Sequence, residues 1–328
     1  MTLIHLSNGN SSQWLLIKYF MKQSDLRIGD LIVSRMSGET ESRPSFILVG
    51  CPADQGVTRN GGRPGASKAP PLIRKHLFKM TLPKERSDSF HDLIKNARDL
   101  GDIPCTEMED MQMELAARIA PWLEKKVPVI VLGGGHETTF GHYLGYRQSK
   151  LHHDIINIDA HADVRPLKNG AGHSGSPFRQ ILEDSGTFCR SYHVMGLQPQ
   201  SVAKQHLEYV EGMGGSYLLK EDTSTEKVAS RLEALSGEIE SRILMTLDMD
   251  VLDQSVAPGV SAPCPDGLPK SLLLKTARLA GEHKSVASLD LVEVNPLFDR
   301  DEQTTRLGAL IIWNFIYGLC ERRGRGVG

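Results

Sequence analysis

The chain is poor in cysteine, and the cysteines that it has form no pattern. Cys51, Cys105, Cys189, Cys264 and Cys320 are odd in number and scattered over 328 residues. Disulfide frameworks and thiolate-bound zinc sites need paired or regularly spaced cysteines, so neither is expected. This usage is typical of a reducing compartment, and we expect a cytoplasmic protein.

Long apolar runs and an excess of one charge are also missing. The apolar patch WLLIKYF at 14–20 is too short to span a bilayer, and no small-residue cleavage site follows it. The formal net charge is −2 at pH 7. Nucleic acid and anionic membranes attract basic surfaces, so we expect neither as a partner and expect a small-molecule ligand instead.

Several catalytic signatures are absent as well. The chain has no Gly-x-Ser-x-Gly elbow and no cysteine beside a histidine that would activate it, so a protein nucleophile is not evident. The segment GGGHETT at 133–139 matches neither the dinucleotide-binding fingerprint nor the P-loop, which ends in Gly-Lys-Ser/Thr. Its glycines leave two interpretations open, an ordinary turn or a cradle for a phosphate.

The sequence does contain a regular alternation of strand and helix patterns. Apolar runs predict strands at 45–50, 127–133, 154–159, 192–197, 216–219, 242–248 and 286–294. Amphipathic spacing predicts helices at 110–126 and 224–242. This alternation is typical of an α/β protein with an open parallel sheet that helices cover on both sides. We expect one domain over 45–322, an unassigned N-terminal extension at 1–44, and a short basic tail at 323–328.

Ionisable residues collect where the predicted strands end, which is where open parallel sheets bind ligands. They are His136; Asp159, His161 and Asp163; Asp248, Asp250 and Asp253; and Asp290 and Glu293. Alternate residues of an extended segment point to the same side. Asp159, His161 and Asp163 can therefore reach one place, and Asp248 and Asp250 can reach it from another strand.

Four carboxylates and two imidazoles in one place need positive charge between them, because the anions otherwise repel one another and raise their own pKa values. Two divalent cations about 3.5–4 Å apart balance the set, as in two-metal hydrolytic sites. Mixed imidazole and carboxylate ligands favour Mn²⁺ and leave Zn²⁺, Fe²⁺ and Co²⁺ open. Such a pair generates a hydroxide nucleophile from water near neutral pH.

Each fragment has an ordinary explanation when it is taken alone. Asp-x-Asp occurs in turns and caps, and a turn also explains a histidine after three glycines. Three such fragments at successive strand ends favour a metal site over three unrelated turns.

Four motifs, in this order and spacing, resemble those of the ureohydrolases, the family of arginase, agmatinase and formimidoylglutamase. They are GGGHE at 133–137, DAHAD at 159–163, LDMDVLD at 247–253 and EVNP at 293–296, within a resemblance over about 45–320. The resemblance implies a three-layer α/β/α fold with a central, mostly parallel eight-stranded sheet and two Mn²⁺ per chain. Family members generally form trimers or hexamers, and dimers and monomers also occur, so a homo-oligomer is consistent with the family and the oligomeric state stays open.

The resemblance also implies a ligand set for each ion. The first ion would be held by His136, Asp159, Asp163 and Asp248. The second would be held by Asp159, His161, Asp248 and Asp250. Asp159 and Asp248 would bridge the two ions.

Two departures point to the formimidoylglutamase branch of the family. Arginase and agmatinase usually have Gly-Gly-Asp-His in the first motif, whereas Gly135 replaces the acid here. Arginases carry a proton-shuttling histidine in the loop after the second motif, and AGHSGSPFRQ at 171–180 places Ser174 there, much as formimidoylglutamases do with SSGTPFRQ. The adjacent His173 stays a candidate for a replacement shuttle.

The resemblance implies hydrolysis of N-formimidoyl-L-glutamate to L-glutamate and formamide, a late step of histidine degradation. Glu293 would pair with the cationic nitrogen of the substrate. The two substrate carboxylates need donors, and arginine is their natural bidentate partner. The motif loops offer Asn60, Arg63, Arg165, Arg179 and Arg306. Of these we expect Asn60, Arg63 and Arg179 to bind the substrate.

Two other functions stay open. A guanidine-hydrolysing member such as agmatinase, guanidinobutyrase or arginase would release urea, although Gly135 and Ser174 disfavour arginase. A metal-bound regulatory module would hold the same ligands without catalysis.

Overall fold

One parallel β-sheet forms the centre of the protein, in a computed structural model that describes residues 26–34, 43–104, 107–184, 186, 188–237 and 240–324. Within these residues the sheet has nine strands, and every neighbouring pair is parallel. The strands are β1 (Val33–Ser34), β2 (Ile47–Cys51), β3 (Arg98–Asp102), β4 (Val129–Gly133), β5 (His153–Ile158), β6 (Cys189–Leu197), β7 (Ser216–Leu219), β8 (Ile243–Asp248) and β9 (Val286–Val292).

Helices connect the strands and cover both faces of the sheet. They are α1 (Ile28–Leu31), α2 (Gln55–Asn60), α3 (Ala69–Leu77), α4 (Ser87–Lys95), α5 (Met108–Glu124), α6 (Thr138–Gln148), α7 (Pro177–Leu182), α8 (Lys204–Gly212), α9 (Thr225–Ala234), α10 (Lys270–Glu282) and α11 (Gln303–Gly324). Short 3-10 helices lie at Ala66–Lys68, Lys220–Asp222 and Met249–Val251. None of the helices within the described ranges is long and apolar enough to cross a bilayer.

Alternate residues of the central strands pack into opposite layers. In β4, Ile130 and Leu132 belong to the core formed with α3, α4, α9, α10 and α11, whereas Val129 and Val131 belong to the core formed with α5 to α8. Both faces of the strand are therefore buried, which explains its unbroken apolar sequence. The predicted three-layer α/β/α fold is confirmed, and the short β1 joins the eight expected strands at one edge.

The seven predicted strands correspond to β2 and β4 to β9, and the two predicted helices correspond to α5 and α9. The sequence did not indicate β3, because three of the five residues in its segment RDLGD are charged. This strand tolerates them near the sheet edge, where Arg74 lies 2.9 Å from Asp99 and 2.6 Å from Asp102. Helix α9 ends at Ala234, well before the predicted end at 242.

Both ends of the chain contain secondary structure where they are described. Part of 1–44 forms α1 and β1, and Ile28 is fully buried against the core. Helix α11 continues through 323 and 324, while residues 325–328 lie outside the described residues. The apolar patch at 14–20 and Cys105 also lie outside them.

The order of the strands positions the functional site. The sheet runs β1-β3-β2-β4-β9-β8-β5-β6-β7, so β4, β9, β8 and β5 are consecutive neighbours. Their carboxyl ends share one edge, and the predicted ionisable clusters follow β4, β5, β8 and β9. Ligands of open parallel sheets bind at such an edge.

Asp290 is an exception to the predicted set, because it lies inside β9 and not at its end. Its Oδ2 lies 2.8 Å from Nδ1 of His142 and accepts a hydrogen bond from the Thr139 hydroxyl at 3.2 Å. All three side chains are fully buried. Asp290 therefore links α6 to β9 by hydrogen bonds, and it is not one of the residues that cluster with His136 at the sheet edge.

We expect Asp290→Ala to lower the free energy of unfolding by about 1–3 kcal/mol, because it leaves the buried His142 nitrogen without its partner. Urea titration followed by circular dichroism measures this change. The control is Glu211→Ala, which removes an exposed carboxylate. An unchanged midpoint in Asp290→Ala would contradict the assignment.

Candidate metal centre

The first group of ligand atoms surrounds His136, directly after β4. Nδ1 of His136 lies 3.0 Å from an oxygen of Asp163, 3.0 Å from one of Asp248 and 3.3 Å from one of Asp159. This buried nitrogen has no partner with hydrogen-bond geometry among the described residues. One ring nitrogen donates at most one hydrogen bond, so three carboxylates converging on it are arranged as ligands of a shared cation.

The second group contains Asp159, His161 and Asp250. Nδ1 of His161 lies 3.3 Å from Oδ2 of Asp250 and 3.6 Å from Oδ1 of Asp159. Asp159 presents its other oxygen, Oδ2, to His136. Its carboxylate therefore belongs to both groups, as expected for a bridging ligand.

Asp248 belongs to the first group only. Its Oδ2 faces His136, and its Oδ1 accepts the backbone N–H of Asp250 at 2.8 Å. The bridging role that the resemblance implies for Asp248 stays a prediction.

Electrostatics explain why this cluster requires cations. Burial raises the pKa of Asp248 well above its ordinary range, and the charges of Asp250 and Asp159 raise it further. Burial and the charge of Asp159 also raise the pKa of Asp163. Divalent cations neutralise such a set, and mixed carboxylate and imidazole donors fit Mn²⁺. The residues present therefore fit a pair of divalent ions that share Asp159.

Two buried polar residues that sequence reasoning missed orient the ligands. Asn157 donates from Nδ2 to Oδ2 of Asp159 at 2.9 Å, and the hydroxyl of Thr246 lies 3.1 Å from Nε2 of His136. Metal-binding histidines usually form such a bond through their second nitrogen. Asn157 lies two residues before Asp159, and Thr246 two residues before Asp248. This spacing on one strand face was the signal available in the sequence.

The glycine run before His136 is tightly packed. Gly135 donates its N–H to the carbonyl of Ala53 at 2.7 Å, and His136 donates its own to Oε1 of Glu293 at 2.8 Å. A Cβ atom on Gly134 would lie 1.8 Å from the Ala53 carbonyl oxygen. These two amides are occupied, so they cannot cradle a phosphate, and the structure favours the turn.

Glu293 lies beside the ligands, where the sequence predicts it. Its φ of 65° is in the left-handed region, which non-glycine residues rarely adopt outside functional sites and tight turns. Its N–H donates to the carbonyl of Gly134 at 2.7 Å, which holds this conformation. Burial raises the pKa of Glu293 well above its usual range. Oε2 of Glu293 has no hydrogen-bond partner among the described residues.

A pocket of about 290 Å³ opens over both groups. Its lining is largely polar and consists of Asn60, Gly61, Gly62, His161, Asp163, Arg165, Ser174, Asp248, Asp250, Ser261, Ala262 and Glu293. The predicted residues Asn60 and Ser174 are among them, and Nδ2 of Asn60 donates to the Ser174 hydroxyl at 3.2 Å. Arg165 supplies the one guanidinium among these lining residues.

The two arginines expected to bind substrate lie elsewhere. Nε of Arg63 donates to the carbonyl of Ser261 at 3.0 Å, and its guanidinium lies 4.1 Å from the ring centre of Phe298. Nε of Arg179 donates to a backbone carbonyl at 2.8 Å, and Nη1 lies 2.7 Å from Glu183. Both guanidinium groups are used inside the fold, and neither lines the pocket.

His173 is also not placed as a proton shuttle. Its Nε2 lies 3.0 Å from the carbonyl of Pro166, to which it donates, and its Nδ1 accepts the N–H of Gly175 at 3.1 Å. The ring is buried, and both nitrogens are occupied by the loop backbone. His173 therefore orders this loop, and the adjacent Ser174 is the residue that reaches the pocket.

The parallel sheet and the paired ligand groups at its carboxyl edge define a binuclear metal centre of the hydrolytic type. The chain belongs to the arginase family, whose model matches residues 44–318. The predicted membership of the ureohydrolases is confirmed.

Several relatives are similar over most of the chain. The formimidoylglutamase of Geobacillus sp. (strain WCH70) is 36% identical over 280 residues, which cover 83% of this chain and 82% of the relative. That of Geobacillus thermodenitrificans (strain NG80-2) is 37% identical over 278 residues, which cover 82% and 83%. The crystal structure of Trypanosoma cruzi formiminoglutamase with Mn²⁺ has a TM-score of 0.80 and 28% identity, and the match covers 91% of this chain and 99% of that one.

The shared position of Asp159 predicts a graded loss of metal. We expect Asp163→Ala and Asp250→Ala each to lose about one of two ions per chain, since each contributes to one group. Asp159→Ala is expected to lose both ions together with activity. Metal content after gel filtration is measured by mass spectrometry, with Asp290→Asn as the control for a buried carboxylate outside both groups. Full occupancy in Asp159→Ala would refute the shared ligand.

Proposed function

We propose that this protein is a formimidoylglutamase that uses two Mn²⁺ to hydrolyse N-formimidoyl-L-glutamate in histidine degradation. The observation that carries this proposal is one pocket that contains both the unpartnered acid Glu293 and the guanidinium of Arg165. The carboxylate of Glu293 suits a cationic amidine, and the guanidinium of Arg165 suits a carboxylate. The similarity to formimidoylglutamases over about four fifths of the chain supports the same substrate.

The reaction adds water across a carbon–nitrogen bond. The water oxygen bonds to the formimidoyl carbon, and the bond from this carbon to the glutamate nitrogen breaks. The nitrogen leaves with a proton as L-glutamate, and the remainder is formamide. A bound pair of Mn²⁺ supplies Lewis-acid activation of the water.

Glu293 orients the amidine and keeps its carbon electrophilic. The free oxygen Oε2 accepts an N–H of the cationic formimidoyl group, while Oε1 stays fixed by the N–H of His136. A hydrogen bond to a charged group of this kind contributes about 1.5–3 kcal/mol.

Arg165 binds a substrate carboxylate in the same pocket. Its backbone N–H donates to the carbonyl of Gly175 at 2.9 Å, and its Nη1 donates to Oδ1 of Asn60 at 3.4 Å. Asn60 in turn donates to Ser174. This chain of contacts orients the guanidinium and leaves further N–H donors for a bidentate pair with the ligand.

We expect purified protein loaded with Mn²⁺ to release L-glutamate and formamide in equal amounts from N-formimidoyl-L-glutamate. A coupled glutamate assay and chromatography of formamide measure the products, and chelated protein is the control. Release of urea from agmatine, 4-guanidinobutyrate or arginine, without action on N-formimidoyl-L-glutamate, would favour the guanidine-hydrolysing alternative. A Mn²⁺-loaded protein that is inert towards all of these compounds would favour the regulatory module.

We expect Arg165→Met to raise KM for N-formimidoyl-L-glutamate about 10- to 100-fold, because a charged hydrogen bond of about 1.5–3 kcal/mol is lost. The change is expected mainly in KM, since the carboxylate lies away from the reacting carbon. Steady-state kinetics measure it. Arg147→Met is the matched control, because it removes a guanidinium that pairs with Asp184 at 3.2 Å, and neither residue lines the pocket. Equal effects of the two substitutions on KM would contradict the assignment of Arg165.

A further inference from the structure

The side chain of Glu137 is fully buried directly after the ligand His136, yet it is not a member of either ligand group. Its Oε1 accepts the backbone N–H of Gly56 at 2.8 Å. Its own carbonyl accepts Nε2 of Gln112 at 2.8 Å, which fixes the backbone at this position. Oε2 has no hydrogen-bond partner among the described residues. One carboxylate oxygen therefore connects the loop after β4 to the start of α2.

Two glycines leave the space that this carboxylate fills. A Cβ atom on Gly56 would lie 2.5 Å from Cδ of Glu137, and one on Gly135 would lie 2.2 Å from Oε2 of Glu137. Neither glycine has a positive φ, so the backbone conformation does not require glycine at either position. The requirement is steric, and both residues are small because Glu137 points between them. Gly56, Gly135 and Glu137 thus form one packing unit, and Gly135 is the residue at which the first motif departs from that of arginase.

Gly56 lies in the first turn of α2, and the last residue of the same helix is Asn60 in the pocket. Asn60 contacts both Ser174 and Arg165. A helix of six residues is too short to be stable on its own, so external contacts must fix its position. The hydrogen bond from Gly56 to Glu137 satisfies one of the backbone donors that the first turn leaves unpaired.

We propose that Glu137 is a positioning residue for substrate binding. Its carboxylate anchors the first turn of α2, and α2 holds Asn60 where it orients Arg165 in the pocket. Glu137 itself does not line the pocket and touches no reacting atom. The inference rests on the proposed function for the identity of the substrate, but not for the anchoring contact.

The test compares Glu137→Gln with Glu137→Ala in the full-length, Mn²⁺-loaded enzyme. Glutamine keeps an acceptor oxygen at the same distance along the side chain, so Glu137→Gln retains the hydrogen bond from Gly56. This variant is therefore expected to keep KM within about 2-fold of the wild type. Glu137→Ala loses it and is expected to raise KM about 10-fold, with kcat within about 3-fold and metal content unchanged. Tyr146→Phe is the control. It removes a buried hydrogen bond of 2.7 Å between Tyr146 on α6 and Ser288 on β9, and this bond does not involve α2. It is expected to lower thermal stability and leave KM unchanged.

A double-mutant cycle tests the anchoring contact separately from the reaction. Gly56→Ala is expected to lower the melting temperature more in the wild type than in the Glu137→Ala background. The reason is that Glu137→Ala has already removed two of the three closest atoms that a Cβ on Gly56 would meet. Equal shifts in both backgrounds would overturn the packing unit. Loss of metal or of kcat in Glu137→Ala, or an unchanged KM, would overturn the positioning role. Failure of the wild type to hydrolyse N-formimidoyl-L-glutamate would refute the proposed function while this cycle still tests the contact.

Discussion

The convergence of buried carboxylates from the ends of β5 and β8 on His136, at the end of β4, is the constraint on which the rest of the structure depends. Asp159, Asp163 and Asp248 all approach one nitrogen of His136 within 3.3 Å. Burying one unpaired carboxylate is costly, and burying several together costs more because their charges repel. Cations held between them stabilise this arrangement in its ionised form. The fold must therefore bring the ligands together and also fix each one, since a displaced oxygen leaves an uncompensated buried charge.

The sheet meets this requirement through its strand order. β9 lies between β4 and β8, so Glu293 at its end stands between the ligand His136 on one side and Asp248 on the other. Glu293 is thus placed beside the metal ligands by neighbouring strands, and the N–H of His136 fixes one of its oxygens. The residues that fix the ligands, Asn157 and Thr246, are supplied two positions earlier on strands β5 and β8. The same strands therefore provide the ligands and their orientation.

The strands and candidate ligands that follow from local pattern could be predicted from the sequence. The contacts of side chains with residues distant in the sequence could not. The central strands were found because burial on both faces produces unbroken apolar runs, whereas β3 carries Asp99 and Asp102 and depends on Arg74 from another element. The spacing of two residues indicated Asp159, His161 and Asp163 as one cluster. By contrast, no local signal distinguishes an arginine that reaches the pocket from one that binds backbone carbonyls. The prediction chose Arg63 and Arg179, while the pocket contains Arg165.

Selectivity within this family then has to arise away from the metal ligands. An amidine and a guanidine both present a planar cationic carbon, and a carboxylate such as Glu293 accepts hydrogen bonds from either. The remainder of the substrate differs in charge, because N-formimidoyl-L-glutamate ends in carboxylates and agmatine ends in an ammonium group. A guanidinium at the pocket, held by Asn60, attracts the first and repels the second. Discrimination is a difference between two binding free energies, so the repulsion contributes as much as the attraction. Fixing Arg165 in one orientation increases both effects, since a mobile arginine would turn away from an unfavourable ligand into water.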